Sequence, residues 1–215
     1  MPPTETDNSR LRPTRIHSSI QLLVEGKDAL NWFQGLARHL SLEGLQIQNY
    51  GGVDDLRVFL KALVKMPDFS TVTSIGIVRD AEDSADGACA SVKGALEQAG
   101  LPVPSCADAR RDGHPSVSLL ILPDGRSPRM LESVLSDIVR STPVGACIEK
   151  FLRCADESVA ESKVKRSPKA FVHAFLATKP HPHVSVGVAA KKGYWDLGHP
   201  ALKGVRSFLS DLASA

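Results

Sequence analysis

Four acidic residues of this sequence stand where carboxylates could bind a metal ion. Glu25 directly follows one apolar run, Asp80 and Glu82 follow another, and Glu132 lies in the first turns of a predicted helix. Two carboxylates held about 4 Å apart repel by roughly 4 kcal/mol at an effective dielectric constant near 20. A cluster of such acids is therefore stable only if one acid has a raised pKa, a cation lies nearby or a metal ion is bound. Oxygen ligands of this kind suit Mg²⁺ or Mn²⁺ and do not suit zinc.

The segments that must position these acids alternate between two patterns. Short apolar runs predict buried strands, and each run is followed by residues at helical spacing. The strands are expected near residues 20–24, 45–48, 74–78 and 117–122. This rhythm predicts an α/β fold with a mostly parallel four-stranded sheet and helices on both faces. Ligands of such sheets bind beyond the carboxyl ends of the strands, so the acids meet if the first, third and fourth strands are neighbours.

Three parts of the chain are expected to differ in organisation. Residues 1–17 are polar and contain proline, which predicts a disordered lead-in. Residues 18–142 carry the alternating strand and helix pattern of the α/β core. Residues 143–215 lack that alternation and predict a C-terminal helical extension packed on the core. Its helices are expected at residues 145–158, 168–177 and 200–212.

The charge, the apolar runs and the cysteines of the chain limit its possible partners and location. The chain has 215 residues with 26 basic and 24 acidic side chains, so a net charge of +2 gives no whole-molecule attraction for nucleic acid. Any contact with nucleic acid would use a local patch or a metal ion. No apolar run approaches the ~20 residues that span a bilayer, which predicts no membrane segment. The four cysteines form no CxxC pair, and without an export signal they predict reduced thiols and a cytoplasmic location.

The motifs around the acids carry a resemblance to a known fold. The run Val24-Glu25-Gly26-Lys27-Asp28 after one strand, with an acid-x-acid pair after another, resembles the Toprim domain of topoisomerases, bacterial primases and OLD-family nucleases. Over nearly all its length the chain also resembles the Toprim-like family DUF3226. The shared motifs are Leu131-Glu132, Lys169-Ala170 and Gly193-Tyr194-Trp195-Asp196. The resemblance implies a Toprim-like, Rossmann-like α/β core.

The resemblance also implies roles for particular residues. Glu25 would be a metal ligand or general acid/base, and Asp80 and Glu82 would stand for the paired aspartates of the family. Glu132 would serve a second metal, and Lys169 would stabilise charge on a phosphate. These roles imply Mg²⁺ or Mn²⁺ as cofactor and a Mg²⁺-dependent nuclease, or another phosphodiester-processing enzyme, acting on nucleic acid.

Alternatives remain open at several of these positions. The second acid of the pair is a glutamate here, so Asp83 or Asp86 are alternative ligands. The whole stretch from Asp80 to Asp86 is also typical of a solvated acidic loop that caps a helix. Taken alone, Glu132 and Lys169 are more often solvated residues of a helix surface than members of a site.

The function also has alternatives. One is a non-catalytic metal- or phosphate-binding regulatory module on a Toprim scaffold, and another is an enzyme acting on a small phosphoester. Lys27 and Lys169 are the candidate cationic partners of the acids. The sequence leaves open a homodimer and a partner ATPase.

Overall fold

A five-stranded sheet forms the centre of the protein. The structure, a computed structural model, describes residues 12–105, 110–123, 129–158 and 167–214. The strands are β1 Ile20–Glu25, β2 Leu45–Gly51, β3 Ser74–Asp80, β4 Arg110–Arg111 and β5 Ser116–Leu122. They lie in the order β2-β1-β3-β5-β4. The first four of that order are parallel, and β4 pairs antiparallel with β5 at the edge.

The sheet confirms the predicted parallel core. β3 is the middle strand, and six of its seven residues are buried, as expected for a strand covered on both faces. The predicted first, third and fourth strands are neighbours, because β1 pairs with β3 and β3 pairs with β5. β4 was not predicted at these residues, since a two-residue strand is too short to show any alternation of apolar and polar side chains.

Eight α-helices are found in the described part of the chain. They are α1 Gly26–His39, α2 Leu56–Leu63, α3 Ala85–Ala99, α4 Leu131–Arg140, α5 Pro143–Ser158, α6 Pro168–Ala177, α7 Val186–Lys191 and α8 Lys203–Ala213. The last predicted helix, at 200–212, is divided into a short 3-10 turn, Pro200–Leu202, and α8. α7 was not predicted, because its six residues lie in a stretch rich in glycine, histidine and proline.

The helices cover both faces of the sheet, as predicted. Leu22 and Val24 of β1 belong to the apolar cluster formed with α1 and α4–α8, whereas Leu23 belongs to the cluster formed with α2 and α3. α8 lies directly on β3: a Cβ atom added at Gly76 would come within 2.5 Å of Leu212 Cδ2. The extension and the α1 side of the core therefore share one apolar interior.

Residues 12–17 lie extended along the sheet. Ile16 is buried, and the backbone N–H of Thr14 donates to Gln48 Oε1 over 2.8 Å. The backbone N–H of His17 donates to Gln46 Oε1 over 2.9 Å. These amide side chains hold part of the predicted lead-in on the sheet, and residues 1–11 lie outside the described residues.

The cysteines correct one expectation. Cys147 and Cys154 are free and exposed on α5. Cys89 is disulfide-bonded, so the expectation of a reduced thiol at this position is wrong. The spacing of the cysteines in the sequence gave no sign of this bond, and the cytoplasmic location stays a prediction. No helix in the described ranges is long and apolar enough to cross a membrane.

Candidate functional site

Three of the four predicted acids line one small cleft at the carboxyl ends of the parallel strands. The cleft has a volume of about 90 Å³, and its walls include Glu25, Asp80 and Glu132. Glu25 is the last residue of β1, and Asp80 is the last residue of the neighbouring β3. Glu132 is the second residue of α4, which follows β5. Adjacent parallel strands thus bring together acids that lie up to 107 positions apart in the chain.

Glu25 sits where β1 turns directly into α1. Gly26, the first residue of α1, has a φ of 79°, a left-handed conformation that suits glycine. The Glu25 side chain is half-buried, and Tyr50 Oη donates to its Oε2 over 3.5 Å. Burial raises the pKa of Glu25, the positive charge of Arg79 opposes this shift, and the negative charge of Glu82 adds to it. A raised pKa makes this carboxylate a stronger base than that of a solvent-exposed glutamate.

Asp80 is fixed by the start of α4. The backbone N–H of Leu131 donates to Asp80 Oδ1 over 3.0 Å. Burial raises the pKa of Asp80 to about 6, against the lowering effect of that hydrogen bond, and the charges of Glu132 and Glu25 raise it further. Burial is the main cause of this raised pKa, and repulsion from the neighbouring carboxylates adds to it, which is the direction expected where several acids surround a metal site.

Glu132 lies in the first turn of α4, partly buried. An acid at this place is stabilised by the partial positive charge of a helix N-terminus, whether or not it binds a ligand. Its position in the cleft wall and its effect on the pKa of Asp80 set it apart from a solvated surface acid.

The donor set fits a hard divalent cation in its chemistry. Three carboxylates from three different elements supply oxygen ligands of the type that Mg²⁺ and Mn²⁺ prefer. Their side chains do not yet form a coordination sphere: within the described ranges, no three His, Cys, Asp or Glu side chains are grouped closely enough to hold a metal ion. Binding would therefore require the carboxylates to turn inward within the cleft.

The other acidic candidates lie beside the cleft. Glu82 is exposed, has a φ of 49°, and is not one of the described residues in the cleft wall. Its charge still raises the pKa of Asp80 and of Glu25. Asp83 and Asp86 are exposed, and the side chain of Ser84 caps α3 by accepting from the N–H of Gly87. This loop resembles the solvated capping loop that the sequence left open as an alternative.

The two predicted cationic partners do not lie in the cleft wall. Lys169 is exposed in the first turn of α6. Two residues further along the chain, the ring of Phe171 lies under Arg140, with 4.5 Å between the guanidinium carbon and the ring centroid. Arg140 is the last residue of α4 and Glu132 is the second. A helix of 10 residues is about 15 Å long, so these two residues lie at opposite ends of α4. Lys169 is therefore near the end of α4 that carries Arg140, and it is not among the described residues that line the cleft. Lys27 is exposed on α1, and it is not among the described residues that line the cleft.

The structure adds two residues that the sequence interpretation did not assign. Arg79 lines the cleft and is 7% exposed. Tyr50 is fully buried, and its hydroxyl donates to the carbonyl of Val78 over 3.3 Å as well as to Glu25. The one available signal was the Arg79-Asp80 pair at the end of an otherwise apolar strand, since a charged residue at that point is seldom buried without a purpose.

The predicted Gly-Tyr-Trp-Asp segment supports the back of the cleft. Val186 lines the cleft at the start of α7, and Trp195 Nε1 donates to the Val186 carbonyl over 3.0 Å. The Trp195 ring packs on Phe175 with centroids 5.0 Å apart. The N–H of Gly187 donates to Asp28 Oδ1 over 3.3 Å and fastens α7 to α1. These contacts hold Val186, an apolar part of the cleft wall, in place.

One comparison with known proteins identifies the family. The model of the family described as "Protein of unknown function (DUF3226)" matches residues 19–214, nearly the whole chain. No curated protein and no solved structure matches the chain.

Proposed function

The chain belongs to the DUF3226 family, and we propose that its cleft binds a divalent cation, Mg²⁺ or Mn²⁺, for phosphodiester hydrolysis in nucleic acid. The predicted relation to Toprim domains is part of this proposal. One observation carries it: Glu25, Asp80 and Glu132, which come from separate elements, line a single cleft. Chance seldom gathers three carboxylates at the carboxyl edge of a parallel sheet, where α/β proteins bind their ligands.

The electrostatics of the cleft support a bound cation. Burial raises the pKa of Asp80 most, and the negative charges of Glu132 and Glu25 raise it further, so each carboxylate makes ionisation of its neighbours less favourable. A divalent ion would neutralise these charges, and when bound it would supply a Lewis acid that polarises a phosphodiester oxygen. The repulsion between the acids is then replaced by attraction to the ion, so the cleft should favour metal binding at a pH above the pKa of Asp80.

The protein side chains can be given separate tasks in this proposal. Asp80 is oriented by the N–H of Leu131, so one of its oxygens is fixed and the other is free to meet a ligand. Glu25, whose pKa is raised by burial, would accept a proton from an attacking water and return it to the leaving oxygen. The apolar wall at Val186 would limit the access of bulk water to the reacting group.

Nuclease activity is the direct test. Purified protein is incubated with supercoiled plasmid, single-stranded DNA, RNA and a small phosphomonoester, each with Mg²⁺, Mn²⁺ or EDTA. The proposal predicts metal-dependent cleavage of a nucleic acid that falls by at least a hundredfold in Glu25→Gln. Glu43→Gln, which changes an exposed acid in the loop after α1, is the matched control and should keep full activity. Equal cleavage by the Glu25→Gln protein would refute the proposal.

A second function is favoured by a different observation. The acids are not grouped as a ligand set in the described residues, and Lys169 lies toward the far end of α4. These features suit the regulatory module, which would bind a cation or a phosphorylated ligand without catalysis. Thermal stabilisation by Mg²⁺ that depends on Asp80, together with no turnover of any substrate in the assay above, would favour this second function.

A further inference from the structure

The guanidinium group of Arg79 is buried without the partners that such a group needs. The side chain is 7% exposed, and its Nε and one terminal nitrogen form no hydrogen bond within the described structure. A guanidinium group stays protonated at any pH that a folded protein experiences, so burial cannot neutralise it as it can a carboxyl group. Buried charges are ordinarily paired and hydrogen-bonded, so two unpaired nitrogens on a buried guanidinium call for an explanation.

The surroundings of Arg79 do not supply that partner. Arg79 is close enough to Glu25 to lower its pKa, but no ion pair of 4 Å or less joins them in the described residues. The hydroxyl of Tyr50 lies within hydrogen-bond distance of Glu25 and of the carbonyl of Val78, and neither Nε nor Nη1 of Arg79 donates a hydrogen bond to its oxygen. Arg79 therefore carries a positive charge with two nitrogens that lack hydrogen-bond partners, next to a cleft whose other polar walls are negative.

This combination of charges fits one class of ligand. Carboxylates attract a cation, and the guanidinium attracts an anion, so the cleft suits a cation and an oxyanion bound side by side. The planar fork of an arginine matches two oxygens of a phosphoryl group better than a lysine does. A cleft of about 90 Å³ is suited to one phosphoryl group and not to a whole nucleotide.

We propose that Arg79 binds two oxygens of a phosphoryl group inside this cleft. The flexible side chain turns its covered nitrogens toward the cleft when the ligand enters. The inference rests on the proposed function in taking the ligand to be a phosphate ester, and it adds the residue that recognises the phosphoryl group. It also explains why a cation is buried at the end of β3 among acids without being paired to them.

Calorimetric titration with inorganic phosphate tests this assignment. Phosphate is titrated into the wild-type protein, Arg79→Gln and Arg79→Lys, each with and without saturating Mg²⁺. We expect the affinity for phosphate to fall at least tenfold in Arg79→Gln and to be intermediate in Arg79→Lys, which keeps the charge but loses the fork. Arg57→Gln, an exposed change on α2, is the matched control and should bind phosphate as the wild type does.

A separate titration with Mg²⁺ alone distinguishes this inference from the proposed function. Removal of a positive charge should leave Mg²⁺ affinity unchanged or increase it in Arg79→Gln. A wild-type protein that binds phosphate through Arg79 but does not bind Mg²⁺ would refute the metal-dependent function and keep the inference. Phosphate affinity within twofold of wild type in folded Arg79→Gln and Arg79→Lys, or no phosphate binding by the wild type, would overturn the inference.

Discussion

Substitution of Asp80 by Asn should stabilise the metal-free protein at alkaline pH. The asparagine keeps the size of the side chain and an oxygen that can accept from the N–H of Leu131. It removes a buried negative charge that Glu132 and Glu25 repel. A residue retained for folding alone would be expected to destabilise the protein when replaced, so the sign of the change separates a binding residue from a structural one.

The size and pH range follow from the pKa of Asp80. Folding raises this pKa from 3.8 to about 6, so the folded state binds more protons than the unfolded state between these values. The free energy of unfolding of the wild type therefore falls as pH rises through that range. Each pKa unit corresponds to about 1.4 kcal/mol, which gives a stabilisation by Asp80→Asn of up to ~3 kcal/mol above pH 7. The difference should shrink to about 0.5 kcal/mol at pH 4 and vanish below about pH 3, where Asp80 is protonated in both the folded and the unfolded protein.

Urea denaturation between pH 4 and pH 8 in EDTA measures this effect. At ~2–4 °C per kcal/mol for a chain of this size, the melting temperature should also rise by several degrees at pH 8. Asp83→Asn, which removes an exposed acid outside the described cleft wall, serves as the control and should change stability little. Added Mg²⁺ should stabilise the wild type but not Asp80→Asn. A constant difference at all pH values, or a less stable Asp80→Asn protein at pH 8, would refute the reasoning.

Other changes test the packing and the limits of the site. Gly187→Ala should destabilise the protein by ~2 kcal/mol or more in thermal denaturation, because the added Cβ would lie 2.2 Å from the backbone oxygen of Asp28. In the control Gly204→Ala, the added Cβ meets nothing within 4 Å, so the change should be neutral or stabilising. Equal effects of the two substitutions would contradict the close approach of α7 to α1. Gln46→Leu should lower the free energy of unfolding by ~2–4 kcal/mol and speed hydrogen exchange at residues 12–17. The reason is that it removes the acceptor of the His17 N–H and three further hydrogen bonds. Unchanged exchange at these residues would contradict the assigned hydrogen bonds. Lys169→Ala should leave Mg²⁺ affinity within twofold of wild type, and a larger loss would place this lysine at the acids after all.

The sequence was most informative where one physical requirement dominates. β1, β3 and β5 are buried on both faces, so their residues form continuous apolar runs that are visible without a structure. The acids at the ends of β1 and β3 could be predicted to meet because parallel strands end at the same edge. The parallel direction of the strands could be predicted, whereas the neighbourhood of β1, β3 and β5 was a condition that the structure met.

The sequence was least informative where several elements must meet. Lys169 belongs to a motif shared with the family, but its distance from the acids depends on the direction in which α6 crosses α4. Arg79 looked like the ordinary charged end of a strand, because burial of a strand end depends on the packing of other elements and leaves no mark in the local sequence. α7 is six residues long, which is less than two full turns and too short for helical periodicity to be recognised.

The central claim is that Glu25 and Asp80 bind the same divalent ion. A crystal soaked in Mn²⁺ tests it through anomalous diffraction, which locates the metal directly. The account predicts a single strong peak in the cleft, about 2.0–2.4 Å from an oxygen of Glu25 and from an oxygen of Asp80. An ordered cleft without a peak, or Mn²⁺ bound elsewhere while both carboxylates keep their metal-free positions, would contradict it.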